Sequence, residues 1–350
     1  MVILILLFVL PKIILPKESI VLEYGQDFTL DKSDVFEQQQ INQVRNFTYD
    51  LSSVKKDDSN LMAIGKHKIE VSYDINRNTF QEKVVVSIVD HTNPVFTSYP
   101  ESIDIYEKED LDLSYLFNAS DLNDVTIKID TSGVDFNQTG SYQAVAYASD
   151  AYHNTSSQSF TINIKALDIK NISTCNPNIK EPTIIDGIIL VNKLHPLPCN
   201  YNPGLNKEAE KAFKQLKEEM IKQGFNIDDK VSAYRSFDYQ VKTFKTWVQQ
   251  DGIDKARTYS ALPGYSEHQT GLAFDLFNSE TNNFIQNDPE SKWLQENAHK
   301  YGFIVRFTKD DERLTGYTPE PWHIRYVGDK ALAIYESGLT LEEYLYNTKR

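Results

Sequence analysis

The apolar pattern changes period partway along the chain, and that change sets what the chain can fold into. Between residue 18 and about residue 167 apolar side chains alternate every second position, as at 68–73, 83–89 and 160–164, with turn residues between the runs. From Asn206 onward the repeat is helical, with Ala209, Phe213, Leu216 and Met220 falling on one stripe. The first half therefore reads as β structure. The second reads as helices and strands in irregular succession, an α+β domain.

The β half repeats itself. Gly65, Asp74 and Asn78 recur as Gly140, Asp150 and Asn154, an offset of about 75 residues, the size of a small sandwich domain. The expected division is 1–17, 18–95, 96–167 and 168–350. At 350 residues there is room for these parts, and a composition of 40% hydrophobic and 12% aromatic residues calls for packed cores. The net charge of −14 argues against nucleic acid and against tight binding to an anionic membrane surface. No protein partner is implied.

Residues 1–10 are almost wholly aliphatic, and Pro11, Lys12, Pro16 and Lys17 follow. The run is shorter than the ~20 residues of a spanning helix and fits the apolar core of a secretory signal or anchor whose basic start is missing. The alternative is an N-terminal strand. Export leads to an extracellular or cell-surface location, with a possible membrane anchor through the N-terminus. In an exported chain Cys175 and Cys199 would close a loop of about 25 residues as a disulfide, and in a reducing compartment both would be free thiols.

In the second half, a Pro-rich connector at 166–205 carries the strand-like run 184–191. Asn206 caps a helix that Gly224 ends. A strand at 230–234 delivers Arg235, and Ser236 caps a second helix bearing Val241, Phe244 and Val248. Asp288 and Pro289 open a third helix, closed by Gly302, and strands are expected at 303–307 and 323–327. Thr340 and Glu343 form a capping box on a terminal helix.

Two clusters carry chemistry. His268 precedes Asp275 by seven residues, and Glu320 precedes His323 by three. Two His and one Asp can hold Zn²⁺ and leave its fourth position to water, whose proton Glu320 can take. Each spacing alone is common. Pro321 argues against a helix, and on a flat strand Glu320 and His323 would face opposite sides. The hypothesis therefore requires a turn or bulge at Pro321. His67, His91 and His153 are scattered through the β half and form no such cluster.

The order of motifs resembles that of the VanY-type D-alanyl-D-alanine carboxypeptidases, zinc peptidases of the LAS group that trim peptidoglycan stems. The similarity spans about 184–330. It rests on Ser232, Tyr234, Arg235, Ser236 and Gln240; on Pro263, Gly264, Ser266, Glu267, His268, Gly271 and Asp275; and on Tyr317, Glu320, Trp322, His323, Arg325 and Gly328. Cys199 departs from the polar residue common at that position in the family. The resemblance implies His268, Asp275 and His323 as zinc ligands and Glu320 as general base. Arg235 becomes the partner of a substrate carboxylate or oxyanion, with Ser266 and Gln240 as further substrate contacts. The β repeats resemble bacterial immunoglobulin-like modules, read as spacer or wall-binding elements. The expected whole is two small all-β Ig-like sandwiches followed by an α+β zinc peptidase domain, acting on stem peptides. Specificity for a D,D or an L,D bond stays open. So do two other functions, an endopeptidase of the same zinc fold and a non-catalytic cell-surface binding protein.

Overall fold

The computed structural model describes residues 16–17, 19–286, 289–308 and 311–347. The expected leader at 1–17 lies largely outside the described residues, as does the helix-opening Asp288. Among the described residues, no helix is long and apolar enough to cross a membrane.

The chain forms two compact units. One comprises residues up to Pro94 with 121–124 and 149–155, and the other comprises 95–120, 125–148 and 156–350. In the first, β1 (Ser19–Glu23), β2 (Arg45–Asp50), β3 (Gly65–Ile75) and β4 (Asn78–Val89) make one sheet of order β1-β4-β3-β2, with β1 parallel to β4. Alternation puts Ile69, Val71, Tyr73, Val84, Val86 and Ile88 on its inner face. No second sheet closes that face among the described residues. The short helix α1 (Lys32–Val35) and the chain around it cover it, and Phe36 meets Tyr73 edge-on at 4.7 Å. Among the described residues this module is a single sheet under an irregular cover.

The second unit begins with a structural copy of the same sheet. Strands β5 (Val95–Ser98), β6 (Ser102–Tyr106), β7 (Asn118–Ser120), β8 (Thr126–Asp130), β9 (Gly140–Ser149) and β10 (Thr155–Lys165) form a sheet of order β6-β10-β9-β8 and a separate pair β5-β7. Strand β6 runs parallel to β10, as β1 does to β4. The sequence repeat is thus a repeat of topology. The core of this module takes in Leu194, Leu314 and Tyr346 from the chain that follows. The module and the α+β half lie in one compact unit, and each has its own buried core cluster.

In that half β11 (Thr183–Ile185) and β12 (Ile188–Leu190) form a hairpin. Then come α2 (Lys207–Lys222), β13 (Ile227–Ser232), α3 (Phe237–Asp251) and α4 (Ile253–Tyr259). They are followed by β14 (Ala273–Asn278), α5 (Pro289–Asn297), β15 (Phe303–Phe307), α6 (Glu312–Thr315), β16 (Glu320–Tyr326), α7 (Ala331–Ser337) and α8 (Leu341–Asn347). The antiparallel sheet β13-β14-β16-β15 is the platform of the site. The stripe on α2 covers one face, with Phe213 stacked on Phe274 at 4.5 Å, so every residue of the central strand β14 is buried. The caps are as expected: Asn206 accepts from the backbone N–H of Glu208 and Ala209, and Ser236 from that of Tyr239.

Two strands differ from expectation. β13 starts and ends earlier than 230–234, which leaves Arg235 on the loop beyond it. β16 starts at Glu320 and includes Pro321. Cys175 and Cys199 are joined in a disulfide.

Candidate metal centre and cleft

Asp275 and His323 are register partners on β14 and β16. Directly opposed residues on neighbouring strands share a face, which brings the two side chains together. His323 Nδ1 lies 2.9 Å from Asp275 Oδ1. His268 arrives from a different element, the 3-10 turn Glu267–Thr270, and its Nε2 lies 3.1 Å from Asp275 Oδ2. Gly271 ends that turn at φ +72°, where a Cβ would stand 2.0 Å from the carbonyl oxygen of Gly204. Only glycine fits that passage from turn to strand.

Glu320 meets the geometric condition set by the sequence. Pairing runs Val305 with Ile324 and then Phe307 with Glu320, so four steps along β16 match two along β15. This irregularity between Glu320 and Ile324 lets Glu320 and His323 face one side, with Glu320 Oε2 3.8 Å from His323 Nδ1.

One ligand atom from each of His268, Asp275 and His323 falls within 4.8 Å of the others, and all three residues are buried. The outer hydrogen bonds fix which atoms face inward. His268 Nδ1 is 2.6 Å from the carbonyl oxygen of Ala233, so that nitrogen carries the proton and Nε2 offers its lone pair. His323 Nε2 is 3.0 Å from Glu267 Oε2, which leaves Nδ1 to the centre. Oriented imidazoles of this kind, each tied through its second nitrogen, are the usual surroundings of a metal. The donor set of two imidazoles and one carboxylate, with Glu320 alongside, fits Zn²⁺.

Glu267 holds the arrangement from behind. Its Oε1 accepts from Arg306 Nε at 2.9 Å and Arg325 Nη1 at 2.8 Å. Arg306 also donates from Nη1 to Glu342 Oε2 at 2.9 Å, and Arg325 Nη2 donates to the Ile189 carbonyl at 2.6 Å. All four side chains are almost fully buried. The sequence reading assigned no role to Glu267, Arg306, Arg325 or Glu342. The available signal was an arginine inside each of two otherwise apolar strand-like runs, a placement that requires buried partners.

Electrostatics follow this layout. Burial opposes ionisation of Glu267, but Arg306 and Arg325 outweigh it and hold the carboxyl well below the usual range. Burial, aided by Arg235 and opposed by Asp275, lowers His268 to about 4. Burial also works against a charged His323, yet bonds to Asp275 and Glu267 lift it to about 9. Burial raises Glu320 to about 8, with Asp275 pushing the same way and His323 and Arg235 opposing.

The centre opens into a cleft of about 320 Å³. Arg235, Gln240 and Ser266 line it, together with Trp247, Tyr265 and Trp322. Arg235 Nη2 lies 4.0 Å from Asp275 Oδ2, and its Nε is buried without a partner. Gln240 donates from Nε2 to the Ala261 carbonyl at 2.7 Å, so its buried Oε1 is the atom left without a partner. Ser266 is buried on the cleft wall. Tyr326 lies against Phe303, away from the cleft.

Two oriented imidazoles and a carboxylate converging on an antiparallel platform, with a second carboxylate beside them in a cleft, are the donor set of a metal-dependent hydrolase. Residues 202–329 match the family described as VanY, D-alanyl-D-alanine carboxypeptidase. The chain is 39% identical over 223 residues to the "Putative carboxypeptidase YodJ" of Bacillus subtilis (strain 168), covering 56% of this chain and 80% of that protein. It is 32% identical over 176 residues to VanXYC of Enterococcus gallinarum, a bifunctional D-Ala-D-Ala dipeptidase and D-Ala-D-Ala carboxypeptidase, covering 44% of this chain and 91% of that one. Among solved structures, the L,D-carboxypeptidase DacB from Streptococcus pneumoniae is 46% identical with a TM-score of 0.44, covering 45% of this chain and 85% of that one. The chain belongs to the VanY D-alanyl-D-alanine carboxypeptidase family.

Proposed function

We propose that the protein is a zinc-dependent carboxypeptidase that removes a C-terminal D-alanine from peptidoglycan stem peptides outside the cell. The observation that carries this reading is the convergence of His268 Nε2, Asp275 and His323 Nδ1 beside Glu320 at the head of a cleft that Arg235 also lines. In this reading His268, Asp275 and His323 hold Zn²⁺. When bound, the ion acidifies water and polarises a carbonyl. Glu320 takes up a proton and returns it to the leaving nitrogen. Arg235 has a free donor edge suited to a terminal carboxylate, which a guanidinium binds with directional hydrogen bonds. Gln240 Oε1 is an acceptor and fits an N–H of the peptide. Ser266 supplies a hydroxyl on the same wall.

The repeated topology supports reading the two β modules as divergent immunoglobulin-like domains. The disulfide supports an oxidising compartment, hence secretion or display at the cell surface.

The test gives purified full-length protein defined stem pentapeptide and tetrapeptide, with and without a zinc chelator, and follows products by mass spectrometry. Chelator-sensitive loss of one alanine is expected. Loss from the pentapeptide alone would mean D,D specificity, and loss from the tetrapeptide L,D. Internal cleavage of crosslinked stems with neither peptide shortened would replace the reading by an endopeptidase.

A further inference from the structure

The loop after β6 brings a carboxylate of the second β module to the catalytic half. Glu109 is 5% exposed and its Oε1 meets two cations, Lys193 Nζ at 3.1 Å and Arg257 Nη2 at 2.6 Å. Arg257, on α4, is also buried, and its Nη1 donates to the carbonyl of Glu107 at 2.7 Å. Lys193 Nζ sits 5.2 Å from the centre of the Tyr317 ring. Tyr317 in turn donates its hydroxyl to the carbonyl of Tyr265 at 3.4 Å. The ring of Tyr265 meets that of Tyr106, at the end of β6, edge-on at 6.5 Å.

These contacts end on the cleft. Tyr259, Ser260, Ala261, Tyr265 and Tyr317 all line it, and the Ala261 carbonyl is the acceptor that holds Gln240. Two cations, Arg257 buried and Lys193 half-buried, share one carboxylate here. Without Glu109 they would be left uncompensated in a desolvated site and would drive the surrounding chain apart or toward water. The cleft wall between Arg257 and Ser266 is tied to Asp251, Gln240 and Leu197, and Glu109 is the carboxylate that balances the two cations behind it.

We propose that Glu109 is a positioning residue for the substrate cleft, so that the second β module is a working part of the peptidase and not a spacer. This rests on the reading of the cleft as the peptide site. Glu109 touches no reacting atom. It acts through Arg257, Lys193 and Tyr317 on the wall that binds the peptide.

The test compares full-length wild type with Glu109→Gln, Lys193→Met and, as a control, Lys108→Ala. Lys108 pairs with Asp254 on the exposed rim of the same contact. Two readouts are taken: amide hydrogen exchange of the peptide spanning 257–266, and KM with kcat on the stem peptide. For Glu109→Gln, faster exchange at 257–266 is expected, with 207–222 and 273–278 unchanged. KM should rise about tenfold at unchanged kcat, a modest share of the hundredfold that an ångström of misplacement can cost. Lys108→Ala should change neither readout. Folded variants with wild-type exchange and KM, lowered only in melting temperature, would overturn the proposal. Should Glu109→Gln fail to fold, Lys193→Met decides. It removes the link from Glu109 to the Tyr317 ring while leaving the Arg257 pair in place, and the proposal expects the same two shifts in smaller measure. If the wild type shortens no peptide, the carboxypeptidase reading fails, and the exchange comparison still decides the role of Glu109.

Discussion

At the scale of single residues, the proposed function separates a ligand shell from a proton carrier. Glu320 is the carboxylate left over once Asp275 is committed to both imidazoles. Glu320→Gln keeps shape and removes the base, so kcat on the stem peptide should fall by about 10²- to 10⁴-fold. Zinc content, read by metal analysis, should be unchanged, and a variant that loses metal in parallel with activity would make Glu320 a ligand instead. Glu267 has the opposite signature. It fixes the tautomer of His323 through Nε2 and is itself held by Arg306 and Arg325. Glu267→Gln should weaken zinc binding by about 10- to 100-fold in competition with a chromophoric chelator, the usual effect of losing such an outer partner.

At the scale of elements, the helices were the most legible part of the sequence. Asn206 and Ser236 cap where their side chains can accept backbone N–H groups, and the α2 stripe faces the sheet. The strands of the α+β half were less exactly bounded, since β13 and β16 both begin three residues before the expected 230 and 323. The irregularity between Glu320 and Ile324 was required by the chemistry rather than visible in any local propensity. Glu109 and Glu342 could not be found from sequence, because their partners lie far away along the chain. One pH effect belongs to this scale. His195 contacts Thr183 on β11 and Tyr346 on α8. Burial, opposed by Glu342, lowers it to about 4 from the model-peptide 6.5. The unfolded chain therefore takes up a proton below pH ~6.5 that the folded state refuses until pH ~4, at about 1.4 kcal/mol per unit. His195 keeps its full contribution above that window, and stability is lost as pH falls through it. Denaturant midpoints measured from pH 7 to 4.5 should fall less steeply for His195→Asn than for wild type.

At the scale of the whole molecule, the disulfide decides how the connector between β10 and β11 is held. Cys175 and Cys199 are separated by 24 residues and enclose the β11-β12 hairpin, whose Ile189 carbonyl receives Arg325 of the catalytic sheet. Closing a loop of this length removes unfolded-state freedom worth about 3 kcal/mol. His268, Asp275 and His323 lie outside the loop, on a turn and strands held by their own core. Cys175→Ser with Cys199→Ser should therefore lower the unfolding free energy by about that amount, read by chemical denaturation, while zinc affinity stays at the wild-type value. A loss of zinc affinity at temperatures where the variant is still folded would mean something else. The hairpin would then be positioning Arg325, and through it Glu267 and His323, so that the bridge would tune the metal centre as well as the stability of the fold.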